Sequence, residues 1–230
     1  MTTEQENLWT TVGTSPDFVA QSDIDHVLAF NKAYPGDVSL DLSMPPDPWL
    51  GCWDAPVVML QMNPSVGAGD IEAYARADVR ALNRRNLIDE AGRLPHYWLD
   101  PQVSDTYAGR WWSSRLRPLT AELGVATVAR RLLVLEFHGY HAPRHQPLPV
   151  TLPTQRLAFD LLAGAIQRDA IIVMNRALKA WQVAVPALGS HKRVVIGKNP
   201  RTSHLSPACL GQSGFDLVRS ALASSTAESG

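Results

Sequence analysis

Four short apolar runs constrain this chain more than any other feature: Val57-Val58-Met59-Leu60, Leu132-Leu133-Val134-Leu135, Ala170-Ile171-Ile172-Val173-Met174 and Val194-Val195-Ile196. None alternates apolar with polar, so each fits a strand covered on both faces rather than one with a wet side. Their length and their polar flanks favour strands over buried helices. Segments of helical spacing separate them, and that alternation builds a parallel sheet with helical crossovers. The expected fold is therefore α/β, a three-layer α/β/α sandwich with a short, mainly four-stranded parallel sheet.

The expected strands cover residues 57–62, 132–137, 170–174 and 193–196. Expected helices cover 16–34, 70–91, 111–123, 157–168, 177–185 and 215–223. Between 43 and 51 the chain is expected to be extended, because Pro45, Pro46 and Pro48 lack an N–H and bias their predecessors away from helix. A length of 230 residues with 45% hydrophobic content supports one sizeable core. We divide the chain into an acidic N-terminal segment packed on the domain (1–48), the α/β domain (49–223) and a flexible tail (224–230).

Two cysteines without metal-ligand spacing give neither a disulfide framework nor an iron-sulfur site. Residues 1–7 are polar and lack a signal core, and no run approaches the roughly 20 apolar residues of a membrane span. A cytoplasmic location with no membrane association is expected. The net charge of −1 hides an asymmetry: residues 1–48 hold eight acidic residues against Lys32, whereas residues 49–230 hold 20 basic and 14 acidic. Between 191 and 207 there are four basic residues and no acidic one. Such a stretch can bind phosphates or be a solvated face.

Two strands run into Asn-Pro turns: Gln61-Met62-Asn63-Pro64-Ser65 after the first, and Gly197-Lys198-Asn199-Pro200 after the last. Loops after parallel strands converge at one end of a sheet, where open α/β folds place their ligand sites. In this order the motifs resemble the uracil-DNA glycosylase superfamily, over roughly residues 49–222. Its first strand ends in a motif such as Gly-x-Asn-Pro, here with Gln61 in place of glycine. Its last strand ends in His-Pro-Ser-Pro or Asn-Pro-Ser-Gly followed by Leu-Ser. Here four residues, Arg201 to His204, separate Asn199-Pro200 from Leu205-Ser206, a spacing two residues longer than in that family.

The resemblance implies an activity: a monofunctional DNA glycosylase, without metal or cofactor, that hydrolyses the N-glycosidic bond of a damaged or modified base. Asn63 would orient the attacking water, and His204 or Asn199 would stabilise the departing base. Gln61, Met62, Pro64, Ser65, Tyr140, His141 and Ser206 would line the base pocket, and Leu205 would be the wedge that enters the duplex. Lys198, Arg201, Arg110 and Arg115 would contact DNA. Each has a plain structural alternative: Asn63 an Asx turn, His204 a loop histidine, Leu205 a core residue. The expected partner is DNA or a nucleobase-containing ligand. The competing functions are a catalytically silent nucleic-acid or nucleotide binder, and a hydrolase of a small nucleoside-like ligand. His138, His141 and His145 also permit a metal reading, although their spacing matches no regular helical site.

Overall fold

The structure, a computed structural model, describes residues 6–13, 17–175, 178–199 and 202–224. Among them, strands β1 (Trp49–Leu50), β2 (Val57–Leu60), β3 (Leu132–Leu135), β4 (Ile171–Met174) and β5 (Val194–Ile196) form one sheet. Their order is β1-β3-β2-β4-β5. The last four are the expected parallel strands, with Val57 opposite Leu132 on one side and Ile171 on the other. The sheet has five strands rather than four, because β1 adds antiparallel to the free edge of β3. Gly51 lets the chain leave that edge: its φ is +103°, and a Cβ there would lie 2.1 Å from the carbonyl oxygen of Leu132.

Nine helices surround the sheet among the described residues: α1 (Ile24–Ala33), α2 (Ala68–Ala75), α3 (Ala77–Leu87), α4 (Tyr107–Leu123), α5 (Val125–Arg131), α6 (Gln155–Gln167), α7 (Leu178–Ala184), α8 (Pro207–Leu210) and α9 (Gln212–Ala223). Side chains alternate across a pleated strand, so a doubly covered sheet has two apolar layers. On one face Val58, Leu60, Leu133, Leu135, Ile172 and Met174 pack with Leu157, Leu161 and Leu162 of α6 and Trp181 of α7. On the other, Val57, Met59, Leu132, Val134, Ile171 and Val173 meet Leu116 and Leu119 of α4, Val128 of α5, and Phe215 and Val218 of α9.

The acidic N-terminal segment belongs to the first face: Trp9, Ala20, Val27 and Phe30 are buried there with α6. These four residues are thus part of the core, on the face opposite α4 and α9, while Met44 packs in the layer that holds α4 and α9. Helix α1 begins at Ile24, later than expected, after a 3-10 turn at Gln21–Asp23. The expected helix over 70–91 is broken into α2 and α3 at Arg76, whose ψ of 136° is extended. The Arg76 guanidinium binds Asp78, Asp105 and the carbonyl of Gln102 at that break. Helix α4 starts at Tyr107, four residues before the expected point, because Thr106 caps it by accepting from the Gly109 N–H at 3.0 Å. No helix among the described residues is long and apolar enough to cross a membrane.

Candidate functional site

At the carboxyl end of the sheet the loops after β2 and β3 are joined by main-chain hydrogen bonds. The Gln61 N–H donates to Leu135 O at 2.8 Å, His138 N–H to Met62 O and Ala142 N–H to Pro64 O, both at 3.1 Å. This pairing carries the Asn-Pro turn and the Glu136–His141 corner to one cleft of about 120 Å³, and the loop after β5 adds Ser203. Helix α2 contributes Asp70 and Tyr74, and α4 contributes Tyr107, Trp111 and Trp112.

Asn63 is fixed in this cleft by its amide nitrogen, which donates to Pro64 O at 2.9 Å and Ala142 O at 3.3 Å. Carbonyl oxygens only accept, so the nitrogen must face them and Oδ1 lies on the other side of the amide. Gln61 is 92% buried, with 8% of its surface exposed. Its Oε1 accepts from the Ser203 hydroxyl at 3.3 Å, while its Nε2 has no hydrogen-bond partner among the described residues.

One side of the cleft is built on Asp47. Four donors from three elements converge on its buried carboxylate: the Tyr74 hydroxyl of α2, Asn83 Nδ2 of α3 at 2.8 Å, and the Tyr97 hydroxyl and Trp98 Nε1 (3.2 Å) of the 3-10 turn Tyr97–Leu99. Burial, then the Asp47 charge, holds both tyrosine hydroxyls well above their ordinary pKa, which keeps them protonated donors. His141 stands beside Tyr74 with its ring nitrogens facing Ser65 O at 2.6 Å and Pro45 O at 3.1 Å. Burial shifts the Asp70 pKa upward from its ordinary value, against the opposing pull of His141. With Glu136, the cleft thus has three carboxyl groups among its lining residues, aromatic walls, and no lysine or arginine.

Of the residues expected from sequence, Gln61, Asn63, Pro64, Ser65 and His141 meet here. Tyr140 does not: it is 1% exposed and its hydroxyl donates to Asp23 Oδ2 at 2.8 Å, on the N-terminal side of the core. Leu205 is a core residue with no exposed surface, packed in the layer that holds α4 and α9, so it is not a projecting wedge. His204 is half-buried outside the cleft lining, where burial and then the charges of Arg115 and Arg117 lower its pKa. Asn199 follows β5 at the same end of the sheet but is exposed and does not line the cleft, so Asn63 and Asn199 share an edge rather than a pocket. Ser206 caps α8, and Met62 engages the loop through its carbonyl.

Among the basic residues, Arg115 reaches the rim by stacking 3.7 Å over the Trp111 ring. Arg110 turns to the carbonyl of Asp105, and Lys198 is exposed. Arg201 lies outside the described residues. No group of three or more His, Cys, Asp or Glu side chains among the described residues is placed to hold a metal ion; His138 instead stacks on His145 at 5.8 Å.

Sequence reasoning missed Asp47, Asp70, Tyr74, Glu136 and Ser203. Asp47 had one signal, its place between Pro46 and Pro48, where an acidic residue has no turn to make. Compared with known proteins, the chain matches no family model, no curated protein and no solved structure.

Proposed function

We propose that this chain hydrolyses N-glycosidic bonds as a uracil-DNA-glycosylase-like enzyme, holding a flat nucleobase between the aromatic walls of the cleft. The observation that carries the reading is the fixed amide of Asn63 at the end of the central strand β2. An immobilised Oδ1 can orient a water for attack on the anomeric carbon without reorganising in the transition state. The electrophilic role expected of His204 passes to a group that lines the cleft. Asp70 suits it, because it lines the cleft and burial shifts its pKa upward, the direction that a proton donor to the departing base requires. The two free cysteines suit a reducing, cytoplasmic setting.

A second reading, a hydrolase of small nucleoside-like ligands, is favoured by one feature. The cleft carries carboxyl groups and no lysine or arginine, which repels phosphates rather than gathering them. Phosphates of a DNA substrate would have to lie outside it, near Arg115.

Base release measured in parallel on oligonucleotides with damaged bases and on free nucleosides tests both readings. Asn63→Ala should lower single-turnover release about 10²-fold with little change in binding. Asp70→Asn should lower it by about 10² to 10⁴ and abolish the alkaline limb of the pH profile, since a general acid fails as pH rises through its pKa. Release by neither substrate class, or full activity in Asn63→Ala, would remove the proposal.

A further inference from the structure

A second cleft, of about 430 Å³, lies between α3, α5 and the segment 94–101. Its volume falls in the range of small-molecule sites. Leu82, Leu94 and Leu99 give it apolar walls, and Arg85 and Arg130 stand exposed at its mouth.

At its buried end are two polar side chains, each 1% exposed, that the protein leaves incompletely bonded. Asn86 donates through Nδ2 to Trp49 O at 2.9 Å, and its Oδ1 has no hydrogen-bond partner among the described residues. His96 rests edge-on against Trp112 at 4.6 Å, and neither ring nitrogen has a hydrogen-bond partner among the described residues. Native proteins bond nearly all buried polar groups, so two orphans lining one cavity point to something that binds there. Burial pushes the His96 pKa down to about 3, so at neutral pH the ring offers one N–H donor and one bare acceptor.

We propose that this cleft binds a small amphipathic anion: a carboxylate at the Arg85 and Arg130 mouth, an apolar body along the leucines, and a hydroxyl, amide or ring N–H bonded by Asn86 Oδ1 and His96. The site is independent of the acidic cleft and of the hydrolase reading. The polar far end gives specificity, because a built hydrogen-bonding site rejects an analogue that leaves its groups unpaired. The arginines supply charge-assisted contacts to a carboxylate.

Calorimetric titration of the full chain with three probes tests this: a hydroxynaphthoate, the same naphthoate without its hydroxyl, and the uncharged hydroxynaphthamide. Hydroxynaphthoate should bind at least about 10-fold more tightly than either control. His96→Phe should erase its advantage over naphthoate, and Arg85→Gln with Arg130→Gln its advantage over the amide. In the wild-type protein the His96 ring nitrogen resonances should shift with hydroxynaphthoate and not with naphthoate, a readout that needs no variant. Equal affinities for the three probes, the absence of saturable binding, or unmoved His96 resonances would overturn the proposal.

Discussion

The two clefts share the segment 95–99 and treat buried polarity in opposite ways. Tyr97 turns its hydroxyl to Asp47, where four donors meet one carboxylate; the neighbouring His96 turns its ring to a cavity where no described residue hydrogen-bonds it. Trp112 belongs to both, lining the acidic cleft and packing on His96. A satisfied buried network fixes the geometry of what surrounds it, since its members strengthen one another in a low dielectric. Unsatisfied groups do the reverse, holding a cost that a bound partner can relieve. The acidic cleft is thus pre-organised by the protein alone, and the second would be completed by its ligand.

The largest break in that contrast should come from Asp47→Ala. It would leave two tyrosine hydroxyls, an indole N–H and an amide buried around a vacated acceptor. Removing one side of a buried charged network costs about 3–5 kcal/mol. Urea unfolding should show a loss of that size, and a loss below about 1 kcal/mol would mean that the network does not hold the cleft together.

His96→Phe should behave oppositely. It keeps a ring against Trp112 and removes two orphaned polar atoms, so at neutral pH stability should change by less than about 1 kcal/mol, or rise. Its clearer effect is on pH dependence. The native ring stays neutral to about pH 3, whereas the unfolded ring binds a proton below 6.5. The unfolded state therefore holds more protons between those limits, and stability falls as pH falls through that window, by about 1.4 kcal/mol per pH unit for each such histidine. His138, held at about 3 by burial and then by His145, adds its own share. Unfolding curves at pH 7 and 5 should show a weaker pH dependence in His96→Phe than in wild type. Identical slopes would mean that His96 is not buried neutral.

How much of this was legible depended on how local the signal was. The parallel sheet follows from four apolar runs that need both faces covered, and the place of Asn63 follows from the rule that strand ends gather at one edge, whereas Gln61 and His141 were candidates through the resemblance to the uracil-DNA glycosylase superfamily. Strand β1 was hidden because two residues after a proline carry no period. The break between α2 and α3 was hidden because it comes from Arg76 reaching Asp105, not from a glycine or proline. Beyond its place between two prolines, nothing local marks the role of Asp47, since its four donors come from positions 27 to 51 residues away. Tyr140 and His204 stand outside the cleft lining while the residues next to them, His141 and Ser203, belong to it, a difference of side-chain direction that no sequence period marks in a loop.

The smallest effect concerns the helix that walls the acidic cleft and touches the second through Trp112 on His96. Helix α4 presents Tyr107, Trp111 and Trp112, and its first turn is held by buried Thr106, whose hydroxyl accepts from Gly109 N–H and donates to Val103 O at 2.7 Å. Gly109 is required there, because a Cβ would lie 2.2 Å from that same carbonyl. Thr106→Ala should cost about 1 kcal/mol, the typical worth of an N-cap, and Thr106→Ser should restore most of it. Hydrogen exchange at the Gly109 amide should accelerate in the alanine variant alone. The consequences for ligands should then differ: probe binding in the second cleft, which has no α4 residue in its lining, should weaken less than base release in the acidic cleft, which has three α4 aromatics in its wall. Equal losses at both sites would mean that α4 supports the two clefts alike and that their independence is lost.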